Sequence, residues 1–231
     1  MDYLEFLLIF VGIPFAVLLL LVRRLGRING NSVLGILILC LIALIYTTPW
    51  DNYLIMRGVW TYPEGAVAGT LGYVPIEEYG FMVLQTALAG VTFFLFAAKK
   101  SFGRLSFNPF GLLPAVLVGG VGLACLTIEK GTYAGLIMVW AFPPLALQWS
   151  LGGRVLLRSL GKWIVPWSLL TLYLCLADSY AIAEGIWSLN PITRSGLDFG
   201  NLPIEEALFF AFTNLFVMQG LCLWQAWRKV P

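Results

Sequence analysis

Two pairs of adjacent carboxylates open long apolar stretches: Glu77–Glu78 in "VPIEEYGFMVLQT" and Glu205–Glu206 in "LPIEEALFFAFTN". A carboxylic acid in its neutral form beside an apolar wall can hand its proton to an alkene as a general acid. Aromatic faces nearby then stabilise the carbocation that forms, by about 2 kcal/mol or more when the site is dry. The candidate cation-facing residues are Tyr53 and Trp60 before the first pair and Tyr180 and Trp187 before the second. Asp51 and Asp178 lead those segments and are candidates for tuning the acid or returning protons.

The spacing inside the apolar stretches adds a polar seam. Gln85 and Thr86 follow Glu78 by seven and eight residues, and Thr213 and Asn214 follow Glu206 in the same way. On a helix this places them on the face of the second Glu, two turns deeper. Polar groups at that depth face a bundle interior. The first Glu of each pair shares its face with Phe81 and Leu84, or with Phe209 and Phe212. One carboxylate should therefore look toward a polar seam and its neighbour toward an aromatic one. The competing reading is that "PIEE" is only a good helix start: Pro suits the first turn, and Glu there complements the helix dipole by about 0.3–1 kcal/mol. Trp and Tyr would then be interface anchors. Repetition of the whole set argues against it.

The elements that must hold these residues are transmembrane helices. The chain is 60% hydrophobic and 11% charged over 231 residues, and several segments reach the roughly 18–20 apolar residues that span a bilayer. The expected fold is an all-α polytopic membrane domain of seven helices. They fall near Tyr3–Val22, Ser32–Thr48, Pro75–Ala98, Phe110–Thr127, Tyr133–Leu151, Trp163–Ala183 and Pro203–Trp227. "MDYLEF" lacks the basic start of a cleaved signal peptide. Eleven of 14 basic residues, among them Arg23, Arg24, Lys99, Lys100, Arg154, Arg158 and Lys229, follow odd-numbered helices, and all 12 acids fall at the other end. Short loops rich in Lys and Arg stay cytoplasmic. The N-terminus is expected outside, the C-terminus in the cytoplasm, and both Glu pairs toward the outer face.

The chain also repeats itself. "WDNYLIMRGVW" (Trp50–Trp60) aligns with "ADSYAIAEGIW" (Ala177–Trp187) at an offset of 127, and "VPIEE" with "LPIEE" at 128. "GIPF" near Pro14 aligns more weakly with "AFPP" near Pro143. Residues 1–98 and 133–227 thus read as two parallel three-helix units, with 110–127 as a linking helix and a pseudo-twofold axis along the membrane normal.

Several chemistries find no residues here. There is no His, hence no imidazole ligand or shuttle. The four Cys sit in apolar runs without CxxC spacing, as buried small hydrophobes do. No Gly-rich nucleotide fingerprint follows a strand pattern. No metal and no cofactor are expected, and the partners are the lipid bilayer and an apolar substrate rather than nucleic acid.

"PWDNY…GVW" followed by "PIEE", repeated across seven helices, resembles the membrane lycopene cyclases first described as two small subunits, in the form where the halves are fused. The resemblance covers almost the whole chain, and the family's Pro-any-Glu-(Glu) motif is matched at Pro75–Glu78 and Pro203–Glu206. It implies cyclisation of the acyclic ends of lycopene to β-ionone rings, giving γ-carotene and then β-carotene, without net redox change, alongside other carotenoid-pathway enzymes. The family motif treats its first Glu as the stricter one, which ranks Glu77 and Glu205 ahead of Glu78 and Glu206. The halves differ: Ala177 stands where the first has Trp50, Ser179 for Asn52 and Glu184 for Arg57. The main rival is a parallel-repeat transporter or channel for a small solute. The acids cluster at one end, and the other half of the chain has little polar lining, which disfavours it. A retinal-binding photoreceptor would need a Lys inside the seventh helix, which has none before Lys229. A partner subunit without a site of its own is the third.

Overall fold

The computed structural model describes residues 1–97 and 102–228. The expected helix end at Ala98 and the basic residues Lys99, Lys100 and Lys229 lie outside the described residues. Seven helices form: α1 (Tyr3–Arg24), α2 (Gly30–Met56), α3 (Ile76–Ala97), α4 (Leu112–Cys125), α5 (Thr132–Arg158), α6 (Leu160–Ala183) and α7 (Ile204–Trp227). All but α4 are long and apolar enough to cross a membrane. This is an all-α, multi-pass membrane protein. Of 14 residues behind a three-residue 3₁₀ turn, α4 is the short one. It lies antiparallel on α5, where small residues let the backbones close up. A Cβ on Gly111 would sit 2.1 Å from the Trp149 carbonyl, and one on Gly122 would meet the α5 backbone at 3.0 Å.

Proline shapes the helices without ending them. It has no N–H and leaves the carbonyl four residues earlier without its helical donor. In α1, Pro14 frees the Phe10 carbonyl beside a π-turn at Leu8–Gly12, and the Tyr173 hydroxyl of α6 donates to that oxygen at 2.7 Å. In α5, Pro144 frees the Trp140 carbonyl, and the Tyr46 hydroxyl of α2 donates to it at 2.7 Å. Pro49 likewise sits inside α2, which continues to Met56 instead of ending at Thr48. Asp51 and Tyr53 are therefore helical residues.

Three short antiparallel ribbons close the acidic end. β1 (Trp60–Thr61) pairs with β4 (Ser188–Leu189), joining the two loops that the sequence marks as matching. The hairpins β2–β3 (Thr70–Leu71 with Val74–Pro75) and β5–β6 (Asp198–Phe199 with Leu202–Pro203) lead directly into α3 and α7. Their tight turns need positive φ, which Gly72 and Gly200 supply at 69° and 66°. Both Glu pairs thus start a helix straight out of a hairpin. α3 is the most enclosed of the spans and forms the centre of the bundle.

Candidate functional site

A cavity of about 460 Å³ lies between α1, α2, α3, α5, α6 and α7. Asp51, Glu78, Asp178 and Glu206 line its acidic end. Adjacent helical residues point about 100° apart, so each Glu pair splits. The second Glu faces the cavity with Phe81 and Gln85, or with Phe209 and Thr213, three and seven residues on. The first Glu turns to the loop that precedes it. The Ala68 amide donates to Glu77 Oε1 at 2.7 Å, and the Ser195 amide donates to Glu205 Oε1 at 2.6 Å. This differs from the expected aromatic outlook of the first member. The rings of Phe81 and Phe209 accompany Glu78 and Glu206 instead.

Each cavity glutamate is held by a phenol. The Tyr62 hydroxyl donates to Glu78 Oε1 at 2.5 Å, and the Tyr133 hydroxyl donates to Glu206 Oε1 at 2.8 Å. Tyr3 turns toward Glu78 as well, with its ring stacked on Tyr62 at 5.9 Å. Burial, followed by the Glu78 carboxylate, pushes the Tyr62 phenol well above its ordinary range, so it stays a donor. Both loops are pinned over the site by backbone bonds, the Tyr3 amide to the Ala66 carbonyl (3.1 Å) and the Tyr133 amide to the Thr193 carbonyl (2.9 Å). Asp51 and Asp178 are buried, and one oxygen of each finds no partner among the described residues. Trp187 turns toward Asp178.

Trp60 and Trp187 line the cavity, folded back beyond the ends of α2 and α6 by the β1–β4 ribbon. Tyr53 and Tyr180 do not. Two residues after Asp51 and Asp178 on continuous helices, they point some 200° away from them, and are 41% and 42% exposed. Tyr53 lies under Arg57 and Tyr180 against Phe10. Gln85 lines the cavity. Asn214 sits behind it, accepting from Gln85 Nε2 at 2.7 Å and donating to Thr171 Oγ1 at 3.1 Å.

The sequence reasoning missed Tyr3, Tyr62 and Tyr133 and the Trp50–Trp140 wall. Trp50 stacks on Trp140 at 5.0 Å and on Phe209 at 5.8 Å, while Trp60 meets Tyr133 edge-on at 5.4 Å. Tyr3 and Tyr133 stand 130 residues apart, as do Pro14 and Pro144. Extending the repeat into the first helix would have found them. Tyr62 carried no such signal, since Leu189 occupies the matching place. Among the described residues, no group of three or more metal-ligating side chains is arranged to hold an ion. The arrangement can deliver and remove a proton at an apolar substrate and face a cation with aromatic rings.

A multi-pass helical bundle enclosing four carboxylates in an aromatic cavity defines the class of protein. No family profile and no solved structure matches the chain. Curated relatives do. It is 44% identical to the lycopene beta-cyclase of Halobacterium salinarum, over 98% of this chain and 96% of that one. It is 37% identical to the bifunctional lycopene cyclase/phytoene synthase of Aspergillus niger and 34% identical to that of Podospora anserina, over 80% and 83% of this chain but about a third of each fungal protein. The chain belongs to the lycopene cyclase family.

Proposed function

We propose that the protein is a lycopene β-cyclase whose chemistry is done by Glu78, Glu206, Asp51 and Asp178. One cavity glutamate in its protonated form gives a proton to the terminal double bond of an acyclic end. The tertiary cation so formed is attacked by the next double bond, which closes a six-membered ring and moves the cation onto it. A neighbouring carboxylate then removes a ring proton and leaves the β double bond. One proton enters and one leaves, so no electrons are exchanged. The phenol bound to Oε1 of Glu206 leaves its Oε2 to carry the transferable proton. The trajectory of the cation is bordered by Trp50, Trp60, Trp140 and Trp187. The observation that carries this reading is the convergence of four carboxylates from both halves of the chain on one aromatic cavity.

The matched hydrogen bonds of Tyr46 and Tyr173, and of Glu77 and Glu205, support reading 1–98 and 133–227 as two parallel units joined by 110–127. The basic ends of the helices support an N-terminus outside and a C-terminus in the cytoplasm. Cysteine at Glu64 should then react with an impermeant reagent on intact cells, and cysteine at Arg154 only after lysis; the reverse would overturn the orientation. The activity is tested by expression in lycopene-accumulating cells with pigment chromatography. Monocyclic and dicyclic β products are expected, carrying solvent deuterium on the ring when made in heavy water. Unchanged lycopene would refute the assignment.

A further inference from the structure

The cavity is not closed on all sides. Along α5 its lining runs from Tyr133 to Leu151, about 27 Å at 1.5 Å per helical residue, which is close to the depth of a bilayer core. The two side-chain hydrogen bonds from α2 to α5 carbonyls, Tyr46 to Trp140 and Trp50 to Leu136, both lie in its acidic half. Below them Ile42 on α2 and Pro143, Leu147 and Leu151 on α5 line the cavity and are exposed at the same time. Leu147 is 61% exposed. A side chain that borders an interior cavity and the bilayer together marks an opening in the wall.

The matching seam on the other side of the bundle is filled. Where α2 has Ala43, α6 has Leu170 at the offset of 127, and Leu170 is 5% exposed within the main core. The open seam also continues beyond the cavity. A second apolar hollow of about 230 Å³ shares Leu39, Ile42, Gly220 and Leu223 with it. Among the described residues, no carboxylate lines this lower half.

We infer that the slot between α2 and α5, below the Tyr46–Trp140 bond, is a lateral portal through which a linear polyene enters from the bilayer, one end first. This rests on the cyclase reading. The leading end reaches the four carboxylates, and the trailing end lies in the slot and the second hollow, where nothing can protonate it. Only one end is cyclised per binding event. The half-finished, monocyclic product must leave, reverse and return by its other end, so it exists free in the membrane between the two steps.

Two measurements test this on the full-length protein in lipid vesicles carrying excess lycopene. In a time course at limiting enzyme, monocyclic product should exceed the enzyme at least tenfold before dicyclic product accumulates. Dicyclic product from the first turnovers, with monocyclic never above one per enzyme, would overturn the release step. For the portal, Leu147→Cys in a Cys125→Ala background is modified with an apolar aryl methanethiosulfonate. Both cyclisation steps should slow at least tenfold and recover on reduction. The same treatment of Leu172→Cys, on the lipid face of α6, should change nothing. Full activity of the modified Leu147→Cys protein, or equal loss at Leu172→Cys, would overturn the portal. Lycopene left acyclic by the unmodified wild type would instead refute the cyclase reading itself.

Discussion

The Glu78 and Glu206 corners of the cavity are built alike and furnished differently. Each carboxylate starts a helix from a hairpin, with a phenylalanine one turn on and a phenol on Oε1. Around Glu78 stand two phenols, Tyr62 and Tyr3, and the adjoining helix has Ala177 in the place that Trp50 takes in the other half. Around Glu206 stands one phenol, and the adjoining helix carries Trp50, stacked between Trp140 and Phe209. Two donors hold a carboxylate anion in place, and stacked indoles face a cation. The difference teaches that a repeated motif gives two positions without giving two identical sites. The Glu78 corner suits a base and the Glu206 corner suits the acid beside which the cation forms.

The strongest challenge to that comparison is to neutralise each corner separately. Glu206→Gln and Glu78→Gln should each reduce cyclisation by about 10²–10⁴-fold, the range for a positioned acid or base. Product per unit of inserted protein, by pigment chromatography, is the measure. Full activity of either variant would remove that corner from the chemistry.

Next in size is the aromatic wall. Trp50→Ala gives the Glu206 corner the residue that the other corner already has. The loss of a dry cation–π face, about 2 kcal/mol, should slow turnover by roughly thirtyfold. A change within threefold would mean that the cation does not form on that side.

The phenols should then separate the corners. Tyr133→Phe leaves Glu206 without its only phenol donor among the described residues, and a hydrogen bond to the carboxylate that forms as the proton leaves is worth about 1.5–3 kcal/mol. At least a tenfold loss is expected. Tyr62→Phe leaves Tyr3 beside Glu78 and should cost about threefold by the same reasoning, since one of two donors remains. The opposite order would reverse the proposed division of labour.

Much of this architecture was legible in the sequence. Hydropathy placed the six long helices, because a bilayer imposes length and apolarity on every span, and the short α4 by its apolar run. Register named Asp51, Asp178, Trp60 and Trp187, all of which line the cavity. It failed where a helix carried on unseen. The expected second helix ends at Thr48, yet the observed one runs on through Pro49 to Met56, and this turns Tyr53 outward. Tyr62 was invisible because its partner across the repeat is Leu189, and comparison between copies detects only what both copies keep.

The smallest effects should come from Glu77 and Glu205, the residues that the motif ranks first. Each accepts one loop amide through Oε1 and stands behind the cavity wall. Gln keeps a carbonyl oxygen in that place, so Glu77→Gln and Glu205→Gln should retain the loop bond and stay within about threefold of wild type. Glu77→Ala and Glu205→Ala remove the acceptor of the Ala68 or Ser195 amide, a hydrogen bond worth about 0.5–1.5 kcal/mol. The loops over Tyr62 and Tyr133 should loosen, which limited proteolysis in vesicles would register, with activity falling alongside. The decisive contrast is Gln against Ala at one position. At Glu78 and Glu206 the Gln variant should already be inactive, since an amide can neither donate a proton to an alkene nor take one from the ring cation. At Glu77 and Glu205 only the Ala variant should fail. If Glu77→Gln or Glu205→Gln abolishes cyclisation in protein whose loops remain protected, the first glutamate is the acid, and the assignment of roles within each pair must be exchanged.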